Sequence, residues 1–323
     1  MDQFDQLRLD NLRTQGFRYK KGSAANIVSG FRQFLYFTAH FKLTPLPAGE
    51  VTISLFLEFM GRTVGYDHLK HLLKSVSYVH RALNIGCPTE SFQVETTLHG
   101  LKRRLARVPF QVLPITPCIM RRMYKFLDMK KTADLALWCS YLTAFFGLLR
   151  KASTVPDQSN PDKPTCLLKR HLKVDTQSNM VYVYVGYSKT NNFCTRDIII
   201  PIPGNSDPSL DLVRHLSELY SRIIPAQDDP AFCFGKKSFI NYKIFTTRLK
   251  QLLHMAGFEA DLFSGHSFRR GGATFLHNNG GSTLMVQASG DWSSQCFTRY
   301  LYLTEAQRLA AQLVMRSAID ESS

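Results

Sequence analysis

Between Ser264 and Leu301 the chain gathers His266, Arg269, Arg270, Trp292 and Tyr300 in the run SGHSFRRGGATFLHNNGGSTLMVQASGDWSSQCFTRYL. A histidine three residues before an arginine, at the start of a helical pattern, sets an imidazole and a guanidinium where backbone N–H groups and the helix dipole also favour an anion. Guanidinium groups match phosphate oxygens bidentately, and histidine titrates in the range useful for proton transfer. The tyrosine hydroxyl downstream supplies an attacking group. Displacement at a phosphodiester without a metal asks for such a set: cations on the nonbridging oxygens, an acid for the leaving oxygen and an oriented nucleophile. Two residues outside the run extend it. Arg150 follows the apolar stretch LALWCSYLTAFFGLL (135–149), which predicts a buried helix with Arg150 at its C-terminal end. Lys189 falls at the polar turn of a predicted hairpin over 180–202, from which an amine reaches outward.

Each of these residues has a plainer use when taken singly. Arg150 could cap a helix C-terminus. Lys189 could be a solvated turn residue, His266 a satisfied polar group at a helix start, and Trp292 and Tyr300 packing aromatics. The stretch around Gly280 and Gly281 also passes as the turn of a helix-turn-helix, which would bind DNA but leaves Trp292 and Tyr300 without a role.

The elements that must position these groups follow from periodicity. The first ~110 residues carry four amphipathic helical patterns, in 23–42, 50–63, 66–86 and 90–108, the last with a dense basic end at Lys102, Arg103, Arg104 and Arg107. VPFQVLPITPC contains three prolines and no helical period, which predicts a linker over 109–118 between an N-terminal domain (1–108) and a second domain (119–323). Beyond it, helices at 118–129 and 133–153 precede the hairpin, and helices return from Leu210. A last helix is expected over 304–320. There Ala306, Leu309, Ala310 and Leu313 form an apolar stripe that packs either on its own domain or on a neighbouring subunit.

Composition narrows the partner. Forty Lys and Arg against 25 Asp and Glu give a net charge of +15, which favours a polyanion, with nucleic acid ahead of an anionic membrane surface. The longest apolar run falls short of the ~20 residues a membrane span needs, so no membrane association is expected. The first 26 residues are acidic and polar before they are basic, unlike a secretory signal. Seven cysteines, odd in number and never spaced as CxxC, point to free thiols in an intracellular, reducing compartment and away from a zinc module. His68 and His71 are too few for a metal site, so neither metal nor cofactor is expected.

Arg150 in FFGLLRKAS, Lys189 in YSKTNNF, His266 and Arg269 in GHSFRRGGAT, Trp292 in GDWSS and Tyr300 in FTRYL resemble, in order, the six active-site positions of the tyrosine recombinases. The pattern is similar to that of Cre-like enzymes with tryptophan in place of the second histidine, and resembles still more the recombinases of eukaryotic Crypton-type and DIRS-type mobile elements. It covers residues ~113–323 by motif. Two departures stand out. Ser153 occupies a place that is acidic in many relatives, and Tyr300 lies eight residues after Trp292, one fewer than in many, which keeps Tyr302 as a second candidate nucleophile.

The resemblance implies a mainly α fold with a small β-sheet: a two-domain, C-shaped clamp of a helical core-binding domain and a tyrosine-recombinase catalytic domain around double-stranded DNA. It implies site-specific recombination for integration or excision of a mobile element. Tyr300 would form a 3′-phosphotyrosyl bond, with Arg150, His266 and Arg269 stabilising the phosphorane, Trp292 supporting it and Lys189 protonating the leaving oxygen. It further implies a homotetramer on DNA assembled by exchange of the C-terminal helix, and a nuclear location in a eukaryotic host. Lys20, Lys21, Lys102, Arg103, Arg104, Arg107 and Arg270 are the expected DNA-contacting cations. A catalytically silent DNA-binding relative and a type IB topoisomerase are the alternatives.

Overall fold

The computed structural model describes residues 6–7, 21–106, 111–157, 166–186 and 198–292, together with positions 298, 301, 309, 312, 313 and 316. The chain divides into two compact units, Met1–Pro109 and Phe110–Ser323.

The first unit is helical throughout its described length: α1 (Lys21–His40), α2 (Glu50–Met60), α3 (Tyr66–Ala82) and α4 (Phe92–Arg104). α1 packs on α3, and α2 on α4. Gly30 permits the first pairing, since a Cβ there would lie 2.4 Å from Ser75 Oγ. The core is aromatic. Phe34 and Phe37 set their rings 5.1 and 5.4 Å from Phe56, and both tilted and edge-on geometries occur, as ring quadrupoles prefer. Buried His80 ties the loop before α2 to α3: Nε2 accepts from the Ala48 N–H at 3.1 Å while Nδ1 meets the Val76 carbonyl at 2.9 Å. The apolar residues of the first helical pattern are only partly buried. Phe31 and Phe34 serve the core, but Leu35 and Phe41 remain exposed, and Phe37 takes the inward place.

The second unit surrounds α6 (Thr132–Phe146), which follows α5 (Pro117–Tyr124). Leu135 through Phe145 are all buried, the property of a helix apolar on every side. The hydroxyls of Ser140 and Thr143 bond back to carbonyls of α6, while its polar aromatic atoms reach its neighbours. Trp138 Nε1 donates to the Ser209 carbonyl at 2.7 Å, and the Tyr141 hydroxyl to the Phe245 carbonyl at 2.8 Å. The short α7 (Lys151–Thr154) is followed by a three-stranded antiparallel sheet of β1 (Leu172–Asp175), β2 (Met180–Val185) and β3 (Ile198–Pro203). β2 and β3 form the expected hairpin, whereas β1 was not legible in the polar segment before it. α8 (Leu212–Arg222), the small pair β4 (Cys233–Gly235) and β5 (Ser238–Phe239), α9 (Tyr242–Met255), α10 (His266–Asn278) and α11 (Thr283–Ser289) complete the unit.

Residues 111–116, expected within a linker, are woven into this second unit. Leu113 N–H donates to the Leu262 carbonyl at 2.8 Å, Ile115 N–H to the Ser267 carbonyl at 3.0 Å, and Ile115 is fully buried. The glycine pair of α10 makes this possible. A Cβ on Gly271 would fall 1.8 Å from the Ile115 carbonyl oxygen, and one on Gly272 2.2 Å from that of Phe145. Helix, entering segment and α6 therefore meet backbone to backbone.

Candidate active site

The apolar helix before Arg150 ends earlier than its hydrophobic run predicts. α6 stops at Phe146, Gly147 caps it, and Leu148 takes a left-handed φ of 47°. Arg150 is thus not the last residue of that helix but the N-cap of α7, where its carbonyl accepts from Ser153 and Thr154 N–H. Its side chain is half-buried, and among the described residues no hydrogen bond or ion pair of its guanidinium is found. Ser153, at the place that is acidic in many tyrosine recombinases, is buried below Arg150 and offers it no carboxylate.

Arg269 behaves in the opposite way. It lies in the first turn of α10, only 2% exposed, and its terminal nitrogens donate to two backbone carbonyls, Leu148 and, at 2.6 Å, Gly290. Its guanidinium carbon stands 3.9 Å over the Trp292 ring, within cation–π range. One side chain therefore clasps the left-handed turn that leads to Arg150 and the turn that leads to Trp292. Trp292, 5% exposed, packs with Leu148, Ala273 and Val286, and its ring lies flat on Gly290, where a Cβ would come within 1.7 Å of a ring carbon. Leu301, which follows Tyr300 in the chain, packs against the same cluster.

Arg150 and Arg269 line one shallow pocket with Ser153, Ser289, Gly290 and Asp291. Val185 and Ile198 line it too, and these are the paired ends of β2 and β3 between which Lys189 lies in sequence. His266, the first residue of α10, joins the pair of arginines electrostatically. Its side chain reaches the surface but is crowded by the domain around it. Loss of solvation first, and then the positive charges of Arg150, Arg269 and Lys151, hold the imidazole below its ordinary value. The arrangement presents fixed positive charge beside a ring that is neutral at neutral pH, which suits an anionic group and transfer of a proton next to it.

Of the expected site residues, Arg150, His266, Arg269 and Trp292 come together here. Lys189, Tyr300 and the alternative Tyr302 lie outside the described residues, as do Lys20 and Arg107. Lys21 opens α1 but its side chain is likewise outside them. Lys102 and Arg103 are exposed at the end of α4, and Arg104 beside them pairs with Glu58 at 2.7 Å. Arg270 differs from its expectation as a DNA contact. It is 7% exposed, and its guanidinium donates to the Val112 carbonyl at 3.0 Å and Gln111 Oε1 at 2.8 Å, so it secures the chain segment entering the second unit rather than displaying charge. The elements of the helix-turn-helix reading are present as well. The helices and the turn exist, with Gly280 at φ 90°; Ser267 through Thr274 of α10 are buried, while Leu284 and Met285 of α11 are exposed.

Sequence reasoning passed over Lys151 and the Leu148 and Gly290 carbonyls. Carbonyl partners carry no sequence signal, whereas Lys151 adjoins Arg150 and could have been noticed as a second cation there. No group of three or more potential metal ligands occurs among the described residues. No helix among them is long and apolar enough to cross a membrane.

No protein-family model matches the chain, and no curated protein matches it either. Solved structures do. The chain is similar to a lambda integrase dimer bound to a COC′ core site, with a TM-score of 0.57 and 14% identity, covering 93% of this chain and 95% of that one. It is similar to the Tn1549 transposon integrase in complex with transposon right end DNA, at a TM-score of 0.55 and 11% identity over 96% and 98% of the two chains. The XerH site-specific recombinase bound to palindromic difH substrate, a post-cleavage complex, gives a TM-score of 0.53 and 11% identity over 83% and 70%. At such identities the likeness is one of fold: the chain has the tyrosine-recombinase fold, mainly helical with small antiparallel sheets.

Proposed function

We propose that the chain is a site-specific DNA recombinase that cleaves and rejoins duplex DNA through a 3′-phosphotyrosyl bond, serving integration or excision of a mobile element. The observation that carries this reading is the meeting of Arg150 and Arg269 at one pocket, with Trp292 against Arg269 and His266 within electrostatic reach of both arginines, on a fold shared with integrases solved in complex with DNA. In this reading the charges of Arg150 and Arg269 and the imidazole of His266 stabilise the phosphorane, and His266 also takes the proton of the attacking hydroxyl. Lys189 protonates the 5′-hydroxyl leaving group. Tyr300 forms the covalent bond: its oxygen displaces the 5′-oxygen at phosphorus, and attack by a 5′-hydroxyl of a partner strand reverses the step. The bond energy is conserved in the phosphotyrosine, so strand joining needs no nucleotide cofactor.

Lys20, Lys21, Lys102, Arg103 and Arg107 would track phosphates from the first unit. The C-terminal helix would join subunits into a tetramer, and Leu309 and Leu313 of its apolar stripe are 58% and 49% exposed, which favours docking on a neighbour over packing in cis. A second reading, a DNA-binding relative without catalysis, draws on the burial of Arg269, two of whose nitrogens already serve carbonyls.

The deciding experiment incubates the full chain with duplex DNA of randomised sequence, carrying bridging sulfur at the 5′ positions to trap cleavage products, and resolves covalent adducts by denaturing electrophoresis. An adduct that disappears in Tyr300→Phe and persists in Tyr302→Phe is expected. Loss in Tyr302→Phe alone reassigns the nucleophile, and no adduct from the unaltered chain, with DNA binding retained, favours the silent relative.

A further inference from the structure

We propose that Lys151 is a positioning residue for His266, bracing the backbone before the imidazole and fixing a third cation beside it; the assignment rests on the phosphodiester reading above. Lys151 opens α7, directly after Arg150, yet its side chain turns towards α10 and α9. Its aliphatic part lies along Gly265: a Cβ built on that glycine would stand 3.0 Å from Lys151 Cδ and 3.1 Å from its Cβ. Gly265 is the residue before α10, and His266 is the first residue of that helix. The far end of the lysine is anchored on α9. The ammonium sits 4.4 Å from the centroid of the Tyr242 ring and donates to Thr246 Oγ1 at 3.4 Å.

A lysine in water spreads its four-carbon stem over many rotamers, and fixing it costs side-chain entropy that some contact must offset. Here the stem packs on backbone and the charge rests on an aromatic face. Two consequences follow. The brace sets where the first turn of α10 presents the imidazole, because Gly265 has no side chain of its own to hold it. The charge is held at a constant place, so its effect on the ring does not average away.

The charged groups around the imidazole come from every element packed there. Arg150 and Lys151 come from α7 and its cap, Arg269 from α10 and Asp291 from the turn after α11, in the same pocket as the arginines. Asp157 acts on Tyr242, and Lys250 of α9 pairs with Asp261 at 3.1 Å. Those named as acting on His266 are all cations, and together with its poorer solvation they keep it below its ordinary value. A ring held neutral accepts the proton of an attacking hydroxyl, while a protonated one cannot.

The test titrates the full chain, labelled with 13C and 15N at histidine, by NMR in the absence of DNA, with His266→Gln used to assign the resonance. The midpoint of His266 is expected to rise in Lys151→Met and to return in Lys151→Arg, which keeps the charge. In parallel, the acid limb of adduct formation on the sulfur-bridged DNA pool should move to higher pH in Lys151→Met, with the alkaline plateau kept. A Lys151→Gln variant repeats both measurements should the methionine variant not fold. An unchanged His266 midpoint in the charge-removing variants overturns the proposal whether or not DNA is cleaved. A shifted midpoint in a protein that forms no adduct upholds the role of Lys151 and removes the recombinase reading instead.

Discussion

The two units handle positive charge in opposite ways. In the first, cations stand in water at the end of α4: Lys102 and Arg103 are exposed, and Arg104 shares its charge with Glu58 on the surface. In the second, Arg269 and Arg270 are buried on consecutive positions of α10 and are bonded to carbonyl and amide oxygens from three other segments. The first arrangement costs little and is screened by salt within about a Debye length. The second withdraws cations from water and needs several acceptors to do so, in return for a charge whose position does not relax. Surface cations can gather a polyanion. A fixed interior cation can discriminate between a ground state and a transition state that carries more charge.

That contrast can be broken most directly at the two site arginines. Replacing either Arg150 or Arg269 by alanine should slow adduct formation on the order of 10²-fold or more, if each directs charge at the phosphorane as proposed. Only Arg269→Ala should also lower the urea midpoint, because it strands the Leu148 and Gly290 carbonyls and uncovers the face of Trp292. Equal stability losses in the two variants would mean that the buried and half-buried arginines are not different in kind.

A smaller effect, on stability alone, tests how the interior charges are held. Gly271→Ala should destabilise the chain by about 1–3 kcal/mol in urea unfolding, because the new methyl meets the Ile115 carbonyl oxygen at 1.8 Å. In an unconstrained helix the same change would stabilise by up to ~1 kcal/mol, so the sign of the result decides whether α10 and the entering segment touch backbone to backbone.

The smallest effect per residue belongs to the surface. Neutralising Lys102, Arg103, Arg104 and Arg107 together should weaken binding to all DNA sequences alike and flatten the salt dependence by about one slope unit for each phosphate that no longer meets a cation. Arg104 should contribute least, as Glu58 already answers it. Weakening confined to one sequence would make the α4 end a reader of bases.

Much of this was written in residue types and spacing. The four helices of the first unit and the β2–β3 hairpin follow from periods of 3.6 and 2, and the buried α6 from the length of its unbroken apolar run. Phosphate chemistry singled out Arg150, His266 and Arg269 as candidates, and the resemblance to a recombinase motif added Trp292, before their distances were known. The end of α6 at Phe146 was hidden, since hydrophobicity continues through Leu149, while the turn at Leu148 is held by a carbonyl bond from Arg269, more than a hundred residues away. Whether Arg270 faces solvent or the entering segment was hidden for a similar reason. Sequence states that a cation is present, but burial depends on which backbone carbonyls arrive beside it, and those carbonyls come from residues far apart in the chain. Types and periods are local quantities and the sequence by itself determined them; the partners of each charge are a property of packing, which only the tertiary structure decided.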